Sequence, residues 1–148
     1  MIRLVASDVD GTLLPDSARC LNRPVMEQIQ RLTQKGIPFC PVSGRQLTSL
    51  RRLFQPLSSQ MYLICENGAA IFGPGEPPPL LRTAIMDRAA CLELSRQILA
   101  VPDFELIISG ADTTYLCPKR PDMEEYIRDQ LGNHTRVVTA PESLFNIF

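Results

Sequence analysis

Excess charge, long apolar runs, histidine and paired cysteines are what this 148-residue sequence has least of, and each scarcity removes a class of function. With 15 Lys and Arg against 16 Asp and Glu, the net charge is −1. That balance leaves no electrostatic footprint for nucleic acid or for an anionic membrane. No apolar stretch approaches the roughly 20 residues of a membrane-spanning helix. The N-terminal apolar run is too short for a signal peptide and ends in two aspartates. The five cysteines (Cys20, Cys40, Cys65, Cys91 and Cys117) are odd in number and contain no CxxC pair. They read as reduced, mostly packing residues of a cytoplasmic protein. Cys40 and Cys65 fall in strand segments beside the candidate site, so they are the two that an incidental reactive thiol would involve. The only histidine, His134, follows Gly132-Asn133 in a polar turn and reads as a surface residue rather than a catalytic one. There are no repeats and no low-complexity tracts. What remains is a chain that is 45% hydrophobic, long enough for one ordinary domain with a real core.

The most informative stretch is residues 2–7, a short apolar run of the kind found in buried parallel strands, which leads into Asp8-Val9-Asp10-Gly11-Thr12-Leu13-Leu14. Side chains two apart on a strand share a face, so Asp8 and Asp10 start on the same side. Gly11 then permits a sharp turn. Ligands of open α/β sheets bind beyond the carboxyl ends of the strands, where this pair lies. Two carboxylates this close repel, and a hard divalent cation relieves the repulsion. Chemically, one carboxylate can attack phosphorus while the other carries protons to and from the reacting oxygens. Asp8, nearest the rigid strand, is the better nucleophile; Asp10, on the turn, suits proton transfer; Thr12 adds a hydroxyl for phosphate or substrate. A DxDG fragment also opens calcium loops, but that pattern needs Glu at its twelfth position, where this chain has Arg19. A turn with two solvated aspartates is the other reading.

Two further segments repeat the strand-then-polar-turn pattern. Residues 37–42 lead into Ser43-Gly44-Arg45, and residues 61–65 into Glu66-Asn67-Gly68-Ala69. Taken with Asp8-Val9-Asp10-Gly11-Thr12, these segments resemble motif I, motif II and the ENGA signature of the Cof-type branch of haloacid dehalogenase-like phosphohydrolases. The resemblance implies an aspartyl-phosphate mechanism with Asp8 as nucleophile and Asp10 as general acid/base. It also implies Mg2+ held by the Asp8 carboxylate and the Asp10 backbone carbonyl. Ser43 and Gly44 would then meet a phosphate oxygen, with Arg45 on phosphate or a substrate carboxylate. Asn67, with Glu66, would orient a cap or touch substrate. The bland alternatives are a Ser-Gly helix cap with a solvated Arg45, and an Asn67-Gly68 hairpin turn.

Along the chain, residues 23–35 carry Val25, Met26, Ile29 and Leu32 at helical spacing, and Gly36 is a natural stop. Residues 46–54 predict a second amphipathic helix. Residues 69–72 and 80–83 predict a hairpin around Gly73-Pro74-Gly75-Glu76-Pro77-Pro78-Pro79, a loop too rich in proline for helix or central strand. The pattern then restarts with a helix at 87–100, strands at 104–109 and 113–117, a helix at 122–131 and a strand at 136–139. Asp112, between two of these strands, reads as a turn residue. The expected fold is α/β. Residues 1–83 would form the first part of an incomplete three-layer Rossmann-like core, and residues 84–148 part of an α+β cap.

The resemblance also implies a lysine and a late GDxxND-like acidic motif after the cap. Neither Lys35 nor Lys119 stands at a comparable position, and no late acidic pair follows. The sequence therefore reads as ending inside the cap, either as a fragment of a longer enzyme or as a chain with impaired turnover. Lacking later core strands, residues 2–7 would form an apolar edge strand, which predicts self-association. The leading expectation is an Mg2+-dependent phosphohydrolase for a small phosphorylated metabolite such as a sugar phosphate. The alternatives are an inactive remnant that binds a phosphometabolite or a protein partner, and a receiver-type phosphoacceptor, whose chain would lack a cap-like second half.

Overall fold

The computed structural model describes residues 2–15, 18–130, 132–140 and 143. They fall into two compact units, Met1–Ala84 and Ile85–Phe148.

In the first unit a five-stranded sheet runs in the order β1-β2-β3-β4-β5. Its strands are β1 (Val5–Asp8), β2 (Phe39–Val42), β3 (Leu63–Cys65), β4 (Ala70–Phe72) and β5 (Leu80–Thr83). The first three are parallel, with Asp8 opposite Val42 and Val42 opposite Ile64. That register brings their carboxyl ends level, which is what gathers the polar turns described below. Between β1 and β2 runs α1 (Arg23–Gln34), whose first turn is capped by the Asn22 side chain accepting the Val25 N–H at 2.9 Å. Its end is a Schellman motif: Gly36 (φ +70°) donates to Thr33 O and Ile37 to Leu32 O. The helix α2 (Leu47–Leu53) joins β2 to β3 and buries Leu50. Val9, Ile29, Phe39, Leu50, Phe54, Met61 and Leu63 belong to one buried cluster, against which Val5 and Ala70 pack.

β1 is shorter than residues 2–7 and is not buried on both faces. Ile2 and Leu4 lie outside it, 68% and 48% exposed, and β1 itself alternates half-buried with exposed positions. Two causes are visible. The partner strand starts only at Phe39, opposite Val5, because Pro38 has no N–H to extend the ladder, although its carbonyl accepts from Val5 N. β1 is also the sheet edge, so nothing in the sheet covers its far side.

β3 turns back into β4 through a tight 3₁₀ turn, Glu66–Gly68, and β4 pairs antiparallel with β5. Asn67-Gly68 is thus a hairpin turn as well as a signature segment. The proline-rich loop before β5 is tied down by an Arg51–Glu76 ion pair and by the Gly75 N–H on Ser59 O.

The second unit contains α3 (Arg88–Ala100), capped by Asp87, and a sheet β6 (Ile107–Ser109), β7 (Thr114–Leu116), β8 (Thr135–Val137). β6 and β7 are antiparallel, β7 and β8 parallel. Between β7 and β8 the helix α4 (Asp122–Glu125) widens into a π turn at Tyr126–Gln130. The predicted helix end at Leu131 lies outside the described residues, as do residues 144–148. Among the described residues no helix is long and apolar enough to cross a membrane.

Candidate active site

The site is assembled by three turns at the carboxyl ends of β1, β2 and β3. The first is organised by a buried carbonyl: Val9 is fully buried and its oxygen accepts from the amides of Thr12, Leu13 and Leu14 at 3.2, 2.9 and 2.9 Å. Wrapping three amides around one carbonyl demands a reversal. Gly11 supplies it at φ +78°, a conformation that side chains resist. The wrap leaves Asp8 and Asp10 exposed on either side of buried Val9. Thr12 Oγ1 donates to Asp8 Oδ2 at 2.8 Å and so steadies that carboxylate.

The second turn carries Ser43, Gly44 and Arg45. Ser43 is buried; its amide donates to Ile64 O, and its hydroxyl accepts the Arg45 amide at 3.1 Å while donating to Asp10 Oδ2 at 3.3 Å. Arg45 does not point to solvent. Its Nε donates to both Asp10 oxygens at 3.1 and 3.0 Å, and Nη2 donates to Oδ1 at 2.7 Å. This fork joins an arginine that is 13% exposed to a carboxylate that is 50% exposed. The Arg45 hydrogen bond holds the Asp10 carboxyl below its ordinary 3.8; partial burial opposes it, while the Arg45 charge and the Ser43 hydroxyl assist.

The third turn docks on the second. The Glu66 amide donates to Arg45 O at 3.2 Å and the Asn67 amide to Ser43 O at 3.0 Å. Asn67 is held at φ +54°, a region its short polar side chain tolerates. A Cβ on Gly44 would lie 3.1 Å from Asn67 Oδ1, so Gly44 is the residue that lets the two turns meet.

The structure thus brings Asp8, Asp10, Thr12, Ser43, Gly44, Arg45 and Asn67 into one cluster of turns. Asp112, in the β6–β7 turn and bonded by the Thr113 hydroxyl, and exposed His134 belong to the second unit. Cys40 and Cys65 are buried: burial raises the Cys40 thiol and, with the Glu66 and Cys40 charges, pushes the Cys65 thiol up to about 12. Sequence reading missed Ser49, which is buried and accepts from Arg45 Nη1 at 3.1 Å. The signal was present as the four-residue spacing from Arg45 along the start of a helix.

Among the described residues no three of His, Cys, Asp and Glu converge on a metal-sized site. The donors present are oxygens on one exposed turn. This fits Mg2+, which is held by one or two carboxylates and keeps waters and substrate phosphate as its other ligands.

Similar proteins were found in each comparison. The 5-amino-6-(5-phospho-D-ribitylamino)uracil phosphatase YbjI of Escherichia coli (strain K12) is 25% identical over 147 residues, covering 99% of this chain and 53% of the relative. The HMP-PP phosphatase of Cronobacter sakazakii is 37% identical over 75 residues, covering 50% of this chain and 27% of its own. A haloacid dehalogenase-like hydrolase of B. subtilis has a fold that superimposes with a TM-score of 0.80 at 18% identity, covering 97% of this chain and 56% of that one. The chain therefore spans about half the length of the full-length relative and of the solved structure. The family model for haloacid dehalogenase-like hydrolases matches residues 5–146, nearly the whole chain and all three turns of the site. On that match, the chain belongs to the haloacid dehalogenase-like hydrolases.

Proposed function

We propose that this chain carries reaction-centre residues of a Cof-type phosphohydrolase acting on a small phosphorylated metabolite such as a sugar phosphate. Met1–Ala84 would be part of the catalytic core and Ile85–Phe148 part of the cap that shapes substrate choice. The observation that carries the reading is the convergence of Asp8, Asp10 and Ser43 on level strand ends, with Thr12 bonded to Asp8. The phosphatase names of the two relatives support it.

In this reading an Asp8 oxygen attacks phosphorus, and the bond from phosphorus to the substrate oxygen breaks. Asp10, entering as the acid, gives that oxygen a proton, then accepts one from the water that hydrolyses the aspartyl-phosphate, which releases phosphate and restores the Asp8 carboxylate and the Asp10 acid. Ser43 and the amides of its turn would face a phosphate oxygen. Mg2+, held by the Asp8 carboxylate and the Asp10 carbonyl, would supply positive charge against the phosphate. A cytoplasmic location belongs to the same proposal and is supported by the free cysteines. So does self-association through the open edge of β1.

The test is phosphate release from an aryl phosphate with Mg2+. Asp8→Asn is expected to abolish it, and unchanged release in that variant would remove Asp8 as nucleophile. A second reading, a binding module without turnover, draws on the same turns, whose Ser43 hydroxyl and backbone amides can hold a phosphate without chemistry. Measurable phosphate affinity without release by the 148-residue chain would select that reading.

A further inference from the structure

We propose that Ser49 is a positioning residue of this site, whose buried hydroxyl fixes the Arg45 guanidinium against the Asp10 carboxylate. The proposal rests on the reading of Asp10 as proton carrier, but the contact it invokes is measurable without turnover.

Arg45 precedes α2, and Ser49 lies on it four residues later, so the arginine side chain runs past the opening turn of the helix. The guanidinium is a flat fork. Its Nε and Nη2 edge faces Asp10, while Nη1 donates to Ser49 Oγ at 3.1 Å. Holding Nη1 leaves the plane little freedom to rotate, so the edge stays on Asp10. Ser49 is 3% exposed. Serine is a weaker helix former than alanine, and a buried hydroxyl is costly unless it is bonded. Packing alone is therefore better served by alanine at this position, and the guanidinium contact is one bond that the hydroxyl makes and alanine cannot. The sequence expectation for Arg45, a bidentate grip on substrate, meets the same fact: the edge suited to a carboxylate already holds Asp10. The side chain acts through Asp10, and Ser49 acts through Arg45.

The contact can be followed by nitrogen-15 NMR of the 148-residue chain, using the Arg45 Nε–H assigned by its loss in Arg45→Lys. Ser49→Ala is expected to speed exchange of that proton with water roughly tenfold, the order of one hydrogen bond to a charged group. Ser49→Thr is expected to restore slow exchange. Exchange at the wild-type rate in a folded Ser49→Ala chain would overturn the proposal. If the alanine variant does not fold, Ser49→Cys, close in volume and only a weak acceptor, is read in the same way. With p-nitrophenyl phosphate and Mg2+, Ser49→Ala is expected to lower kcat with KM unchanged. A raised KM at constant kcat would assign Arg45 to substrate binding and overturn the positioning role. Absence of turnover in the unaltered chain counts against the phosphohydrolase reading alone, and the exchange measurement still decides for Ser49.

Discussion

At Asp10 the ordinary repulsion between neighbouring carboxylates is answered by an arginine 35 positions away in sequence. The fork lowers the Asp10 pKa, so its contribution to stability is present at pH above the unfolded value, near 3.8, and is lost as pH falls through the lower folded value. Half-exposure of Asp10 keeps that contribution small. Arg45→Ala should therefore move the Asp10 titration, followed by carbon-13 NMR, upward toward 3.8. The stability gap between the two proteins should narrow as the solution is acidified below that value. A gap independent of pH would show that Arg45 acts by packing and not by charge. Asp10, Ser43 and Arg45 could each be singled out in the sequence, since each follows an apolar run in a polar turn. That Arg45 would grip Asp10 could not, because nothing local to residues 43–45 says which carboxylate the sheet will bring beside them.

The element that most depends on its surroundings is α2. Seven residues are too few to hold a helix in water, so α2 persists because Leu50 is fully buried in the core it shares with Phe54 and Met61. Leu50→Ala is expected to cost about 2–5 kcal/mol by chemical denaturation. A cost below about 1 kcal/mol would mean that the site rests on other supports. Some element boundaries were legible and some were not, for a physical reason. Asn22 and Gly36 bound α1 through bonds made within a few residues, so the sequence there carries the whole instruction. β1 starts three residues later than its apolar run because a strand extends only as far as its neighbour can pair, and that neighbour begins after Pro38. The π turn after α4 had no sequence signal that we can identify.

At the scale of the molecule, the open feature is β1. Among the described residues it is a sheet edge whose outer ladder face has no partner strand, preceded by exposed Ile2 and Leu4, and such edges invite pairing with another chain. Sedimentation of the 148-residue protein is expected to show mass rising with concentration, and Ala6→Lys, placing a charge on the exposed side of β1, should suppress it. A monomer across a wide concentration range would remove the edge as an association surface.

The chemistry of this protein was written in short stretches: carboxylates one residue apart after a strand, a Ser-Gly-Arg turn and a Glu-Asn-Gly turn. Each is a local pattern, and local patterns determine which groups are available. Tertiary structure decided which of those groups meet. Parallel register brought the three turns level, Gly44 let the third close on the second, and buried Ser49 turned Arg45 from solvent toward Asp10. These outcomes depend on contacts between residues far apart in sequence, so no single segment could encode them alone.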